Sequence, residues 1–365
     1  MTALRIMHSE AATSFGGQEQ YIFQMMNAMR DQGHHLEAIC QPHAILAQRL
    51  REAGFTVHTM LMDGPANFLK GALAVRKILR QGRFDILNTH SRRDTVLAGC
   101  GARLAGTRLI VRTRHLAKPP GSLLSYTWIP HCVTTPSNFV RDGLIKRGVA
   151  PARVATVYPV VELAEWRGAS TLRAELGLDD ADIVVGCVAV MRARKGHRFL
   201  IEAIQPLMQS RSRLHLVMAG GGSPVFEQIQ RQVVQMGLQD RVHLLGPRTD
   251  IPNVLAGFDL FALATEQEAS GTVFVEAAGA GLAVIGTDID GVPEMMENGV
   301  SGLLAPLGDK AAWTAALEQL IDDPALRVRM GREGYRMVRH DGKFSRQAMV
   351  ERIESCYLRW LNERK

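Results

Sequence analysis

A chain of 365 residues is too long for one ordinary domain and suits two of about 150 to 200 residues each. Its 46% hydrophobic and 22% charged residues make a soluble globular composition, and no apolar run is long enough for a signal peptide or a membrane span, so it reads as cytoplasmic and at most peripheral to a membrane. The net charge is +7, and residues 1–170 alone carry 21 Lys and Arg against 11 Asp and Glu, so the basic first half suits an anionic surface or simply solvent.

Strand-length apolar runs recur along the first half at 4–9, 35–40, 56–61, 84–90, 108–114, 132–137 and 154–159, with helical runs between them, for example at 19–32 and 68–81. Gly33 ends the first of these helices, and the adjacent His34 and His35 are expected at the surface. In the second helix Phe68, Ala72, Val75 and Leu79 recur at helical spacing as the buried face, leaving Lys70, Arg76, Lys77 and Arg80 outward. His90 closes a strand, where it would either touch a ligand or cap the strand end. The run "LAGCGARLAG" (97–106) has glycines near dinucleotide-motif spacing but lies in a helical segment, where small residues allow close helix packing. The boundary is expected near 160–171. Beyond it the scheme repeats with strands at 183–190, 214–220, 241–246, 260–265, 282–287 and 302–306, and an amphipathic helix at 345–360 closes the chain. The resulting division is 1–165, 166–344 and a closing segment 345–365 that would return to the first domain. Alternating strands and helices with nearly all-apolar strands mean an α/β chain of two doubly wound parallel-sheet domains, whose ligands lie beyond the strand carboxyl ends. Five scattered cysteines show no paired spacing; Cys40 and Cys187 fall in strand runs and read as reduced core residues.

The stretch "EQEASGTVFVEAAGAG" (266–281) carries the clearest chemistry. Glu268 lies in the loop after a buried strand, Gly271 frees the turn, and a helix begins at Thr272. The amides of Thr272 and Val273 are then unpaired at a helix start, a ready anion site. Glu276, one turn in, can accept two hydrogen bonds from a vicinal diol such as a ribose. Acidic residues also suit helix starts for purely local reasons. Upstream, Arg192, Arg194 and Lys195 precede Gly196 after the first strand of this half, where cations would neutralise a diphosphate or merely face water. The Asp-x-Asp at 288–290 matches a metal motif of another transferase fold, but its place late in the second half marks it as a loop. No CxxC or HExxH pattern occurs, and no metal or cofactor is expected.

In this order "GGQE" (16–19), "VYPVVEL" (157–163), "RARKG" (192–196), "VMAGGG" (217–222), "HLLGPRTDI" (243–251) and the run from Glu268 to Leu304 resemble the family 4 glycosyltransferases, with a look closest to members that build lipopolysaccharide and capsule. The resemblance covers essentially the whole chain. It implies the GT-B fold, two Rossmann-like domains with a cleft between them and a C-terminal helix returning to the first. It also implies retaining, metal-independent transfer from a nucleotide-sugar donor to a saccharide or lipid-linked saccharide acceptor, near an anionic inner-membrane surface. Carried over by position, Glu276 would hold the ribose and Glu268 the transferred sugar. Ser270, Gly271, Thr272 and Val273 would contact the sugar and distal phosphate. Lys195 with Arg192 would grip the pyrophosphate, which Gly16 and Gly17 would approach from the first domain. Arg248, Asp250 and Ile251 would line the base pocket. His115 would lie beside the reacting sugar, with Glu19 and His90 on the acceptor side. The chain departs from the family pattern at Val190, where an arginine is usual and Arg192 is the substitute, and at Ser270, where a phenylalanine is usual.

Two other readings compete. A nucleotide-sugar 2-epimerase shares the architecture but needs no acceptor. A nucleic-acid-binding protein suits a pI near 9.4, but only 6% of residues are aromatic and no recognised module is present, so no nucleic acid is expected.

Overall fold

Each of the thirteen apolar runs contains a parallel strand. In a parallel sheet both faces are covered by helices, so such strands are apolar throughout rather than alternating. The computed structural model describes residues 3–161 and 168–364. The first sheet comprises β1 (Arg5–Glu10), β2 (His35–Cys40), β3 (Thr56–Thr59), β4 (Ile86–Thr89), β5 (Leu109–Thr113), β6 (Cys132–Thr135) and β7 (Val154–Thr156). Their spatial order is β3-β2-β1-β4-β5-β6-β7. The second sheet comprises β8 (Ile183–Val188), β9 (Leu214–Ala219), β10 (Val242–Gly246), β11 (Leu260–Leu263), β12 (Ala283–Thr287) and β13 (Gly302–Ala305), ordered β10-β9-β8-β11-β12-β13. Strand order reverses beside β1 in one sheet and beside β8 in the other, and the crevice at such a reversal is where open α/β sheets bind ligands.

The chain divides into two compact units, Met1–Val160 with Arg346–Lys365, and Val161–Ser345. The boundary expected between 165 and 166 lies outside the described residues. The closing helix Arg346–Asn362 belongs to the first unit because it buries Met349, Val350, Ile353, Tyr357, Trp360 and Leu361 in that core. Full burial of a side chain of this size contributes about 1.5–3 kcal/mol. Polar contacts fix its register: Asn88 donates to the Tyr357 hydroxyl at 2.8 Å, and Trp360 Nε1 donates to the Ala152 carbonyl at 3.0 Å.

The same helix corrects the reading of His34. It is buried, its Nδ1 accepts the Leu4 amide at 3.1 Å, and its Nε2 lies 2.7 Å from Glu354. The partner is 320 residues away, so the local sequence gave no sign of it. His35 is exposed as expected.

Helices Pro65–Gln81 and Arg92–Ala105 pack closely through glycines. A Cβ at Gly101 would lie 2.6 Å from the Ala72 carbonyl oxygen, and one at Gly71 2.8 Å from Leu97. The "LAGCGARLAG" run is therefore a packing surface. Ala72, Val75 and Leu79 are buried, with Phe68 half-buried against the same cluster. Cys40 and Cys187 are buried free thiols. In the second unit Phe261 and Phe274 meet edge to face at 5.7 Å, which seats the helix Thr272–Gly279 on β11.

Candidate active site

In the second unit β11 lies between β8 and β12, so the loops that follow these three strands converge. Lys195, from the turn after β8, forms an ion pair with Glu268, from the loop after β11. Asp290, after β12, accepts the Glu268 amide at 3.1 Å, and the Gly291 amide donates to the Glu268 carbonyl at 3.1 Å. Asp290 thus pins the Glu268 loop, a job that gives the Asp-x-Asp run a structural purpose. The Glu266 amide donates to the Arg194 carbonyl at 2.7 Å, tying the basic loop to the same place. That approach needs Gly196, whose φ is +67° and whose Cβ would fall 1.7 Å from the Ala264 carbonyl oxygen.

Gly271, at φ +80°, starts the helix Thr272–Gly279 without a side-chain cap. The first-turn amides of Thr272 and Val273 have no acceptor within the helix, and none among the described residues outside it. Ser270 is buried in this turn. The Glu276 carboxyl is half-buried and has no hydrogen-bond or ion-pair partner among the described residues, and burial raises its pKa above the usual carboxylate value. Arg192 and Arg194 are both exposed.

Of the residues expected in the base pocket, Arg248 and Asp250 pair with each other. Arg248 donates to both oxygens of Asp250, at 2.7 and 2.6 Å, and to Glu175 at 2.9 Å. Asn253 also donates to Asp250, and these donors hold its carboxyl below the usual range. Ile251 begins the helix Ile251–Ala256 beside them.

In the first unit the order β1-β4-β5 brings three histidines into a row. His8 Nδ1 lies 3.1 Å from His90 Nε2, and His90 Nδ1 lies 3.1 Å from His115 Nε2. Successive ring centroids are 5.4 Å apart, and Tyr21 meets His115 edge-on at 5.3 Å. Burial holds His8 at about 3; burial with Arg112 and Arg114 does the same to His115; and His90 is lowered likewise. All three rings are therefore neutral near pH 7. Each contact needs one N–H and one lone pair, so the tautomer of one ring sets those of the other two. Next to them Asp94 accepts from the His90 and Ser91 amides, both at 2.8 Å, and from the Ser9 hydroxyl at 2.9 Å.

Gly16 and Gly17 open the helix Gly17–Asp31, and the Gly16 amide donates to Glu19 at 2.8 Å. Glu19 is thus buried as a helix cap. Glu10 is also buried, accepting from the Ala12 amide and Gln18. Sequence reasoning missed His8, Glu10, Asp94, Arg112 and Arg114. The available signal was Arg112 and Arg114 at the end of the strand run "RLIVRTR", where apolar residues would be expected.

Comparison with known proteins agrees across both units. The description "Glycosyl transferases group 1" matches residues 169–337, and "Glycosyltransferase Family 4" matches residues 15–165. The UDP-Gal:alpha-D-GlcNAc-diphosphoundecaprenol alpha-1,3-galactosyltransferase of Escherichia coli is 25% identical, covering 89% of this chain and 90% of that protein. A lipopolysaccharide core biosynthesis glycosyltransferase of Rhizobium meliloti is 26% identical, covering 95% of this chain and 96% of its own. Several further curated relatives match along about half of their own length. Among solved structures, a glycosyltransferase from Rickettsia africae superposes with a TM-score of 0.89 at 19% identity, covering 99% of each chain, which shows a shared fold.

Proposed function

This chain belongs to the family 4 glycosyltransferases, and we propose that it moves a sugar from a nucleoside diphosphate donor to a hydroxyl of a lipid-linked saccharide. The product serves cell-surface polysaccharide or lipopolysaccharide synthesis, and transfer retains the configuration of the donor sugar. One observation carries the donor assignment: a carboxyl without a partner, Glu276, stands one turn inside a helix whose first amides are open. The open amides suit the distal phosphate and Glu276 the ribose diol. Glu268, steadied by Lys195 and Asp290, suits the hydroxyls of the sugar.

Tied to an ammonium, Glu268 is a poor free nucleophile. The reaction instead breaks the bond from the anomeric carbon to the diphosphate oxygen while the acceptor oxygen attacks from the same face. The departing phosphate takes the acceptor proton. Lys195, Arg192 and the helix amides stabilise the charge that grows on it, a preorganised electrostatic contribution.

Among the described residues no helix is long and apolar enough to cross a membrane. The helix Pro65–Gln81 carries exposed Lys70 and Lys77 beside Leu69 and Leu73, which are 63% and 49% exposed. This mixture of cations and apolar side chains supports peripheral docking of the first unit on an anionic membrane.

Calorimetric titration with UDP and other nucleoside diphosphates tests the donor assignment. The native protein should bind at least one of them, and Glu276→Ala should weaken that affinity about tenfold or more without unfolding the protein. Equal affinity in the two proteins would remove Glu276 from the donor site.

A further inference from the structure

At the carboxyl ends of β4 and β5 the first unit holds a cavity of about 310 Å³. Four cations line it: Arg92, Arg112, Arg114 and Lys118. None of them is in an ion pair among the described residues, whereas the neighbouring Arg93 is paired with Asp63 at 2.7 Å.

Arg112 and Arg114 are each only 6% exposed. A buried guanidinium stays charged, and burying a charge without a counter-charge is costly. Yet both are held by neutral acceptors alone. Arg112 donates to the Ser125 carbonyl at 3.0 Å and to its hydroxyl, with its guanidinium 3.8 Å from the centre of the Tyr126 ring. Its buried Nε has no partner among the described residues. Arg114 donates to the Tyr126 hydroxyl and the Lys118 carbonyl. The nearby carboxyl, Asp94, hydrogen-bonds to Ser9, His90 and Ser91 and to neither arginine among the described residues, acting on Arg112 only through its charge. The remaining polar lining includes Ser122, whose hydroxyl can donate, and Ser91, whose hydroxyl already donates to Asp94. Neutral His90 and His115 form one wall and add no charge.

Such a cavity is built for a compact oxyanion of two or more charges. We propose that it binds the phosphate or diphosphate of the acceptor, so that the acceptor is a saccharide carried on a phosphate. Bidentate guanidinium contacts then supply both affinity and orientation. This deepens the reading of the chain as a glycosyltransferase and rests on it.

The test uses the full-length protein saturated with UDP, which keeps anions out of the donor site. Three probes are titrated: inorganic pyrophosphate, a short-chain prenyl diphosphate N-acetylglucosamine, and the same prenyl saccharide without the diphosphate. The diphosphate-linked saccharide should bind at least about tenfold more tightly than its counterpart lacking diphosphate. Because Arg112 and Arg114 hold the Ser125 and Lys118 carbonyls, their removal would confuse unfolding with lost binding. Arg92→Gln with Lys118→Gln alters exposed side chains instead and should abolish the preference while leaving UDP affinity unchanged. Equal binding of the two saccharides, or a preference that survives in the double variant, would overturn the proposal. Pyrophosphate binding as tightly as the linked saccharide would reassign the cavity to a free anion. Failure to bind UDP at all would sink the donor reading, and pyrophosphate titration of the double variant would still judge the cavity.

Discussion

Lys195 has two partners to serve: Glu268 in the structure and, in the proposed reaction, the leaving diphosphate. If charge on that group peaks in the transition state, removing a cation should lower kcat far more than it raises the donor KM. Lys195→Ala and Arg192→Ala should each cost roughly a hundredfold in kcat. Arg194→Ala should be mild, because its backbone carbonyl, not its exposed side chain, ties the loop. Steady-state kinetics with Arg194→Ala as the most damaging change would show that the substitute for the missing arginine was misassigned. Buried titratable groups in the first unit make a separate prediction. His8 and His115 titrate at about 3 when folded against 6.5 when unfolded, so their contribution is complete above pH 6.5 and is lost as pH falls toward 3. Glu10 runs the other way. Burial and the charge of Asp94 raise it from 4.5 to about 8, so its contribution is complete below pH 4.5 and is lost as pH rises through 8. Urea denaturation at pH 5 and 9 should therefore show Glu10→Gln gaining at least about 1 kcal/mol on the native protein between the two. A constant difference would mean that Glu10 is ionised throughout. Glu268 and the basic loop of the second unit could be placed from the sequence because each closely follows an apolar strand run, and Glu276 because it lies one turn inside the helix that Gly271 starts. The Lys195–Glu268 pair and the histidine row could not, since each joins side chains 25 to 82 residues apart through strand order alone.

The strands were the most legible elements, since parallel strands covered on both faces leave continuous apolar runs. The helix Pro65–Gln81 was legible in its buried face and less so in its charged one. Arg76 and Arg80 were expected to point outward, yet both donate to carbonyls of the neighbouring helix, to Leu104 and Ala105, at 3.3 Å. They help hold two helices together, so only Lys70 and Lys77, with Leu69 and Leu73, remain wholly available to a membrane. Each lysine near an anionic surface contributes about 1 kcal/mol. Co-sedimentation with phosphatidylglycerol vesicles at low salt should capture the native protein. Salt should weaken that binding, and Lys70→Gln with Lys77→Gln and Leu73→Gln should release the protein. If the native protein stays in the supernatant at low salt, these charges serve solubility alone.

At the scale of the molecule, the uneven charge matches a division of labour. Residues 1–170 hold the whole basic excess, and the first unit carries the proposed membrane face and acceptor cavity. The second unit carries the proposed donor site, where the Lys195–Glu268 pair and the Glu276 helix gather around one sheet reversal. The proposed reaction draws on both: sugar transfer to a lipid-linked hydroxyl, with retention. It is tested most directly by incubating the native protein with a panel of UDP-α-sugars and a short-chain prenyl diphosphate saccharide, then reading the anomeric proton coupling of the product by NMR. A new glycoside in the α configuration should form, and only when the acceptor is present. A β-linked product, or conversion of the UDP-sugar to its 2-epimer without acceptor, would contradict it.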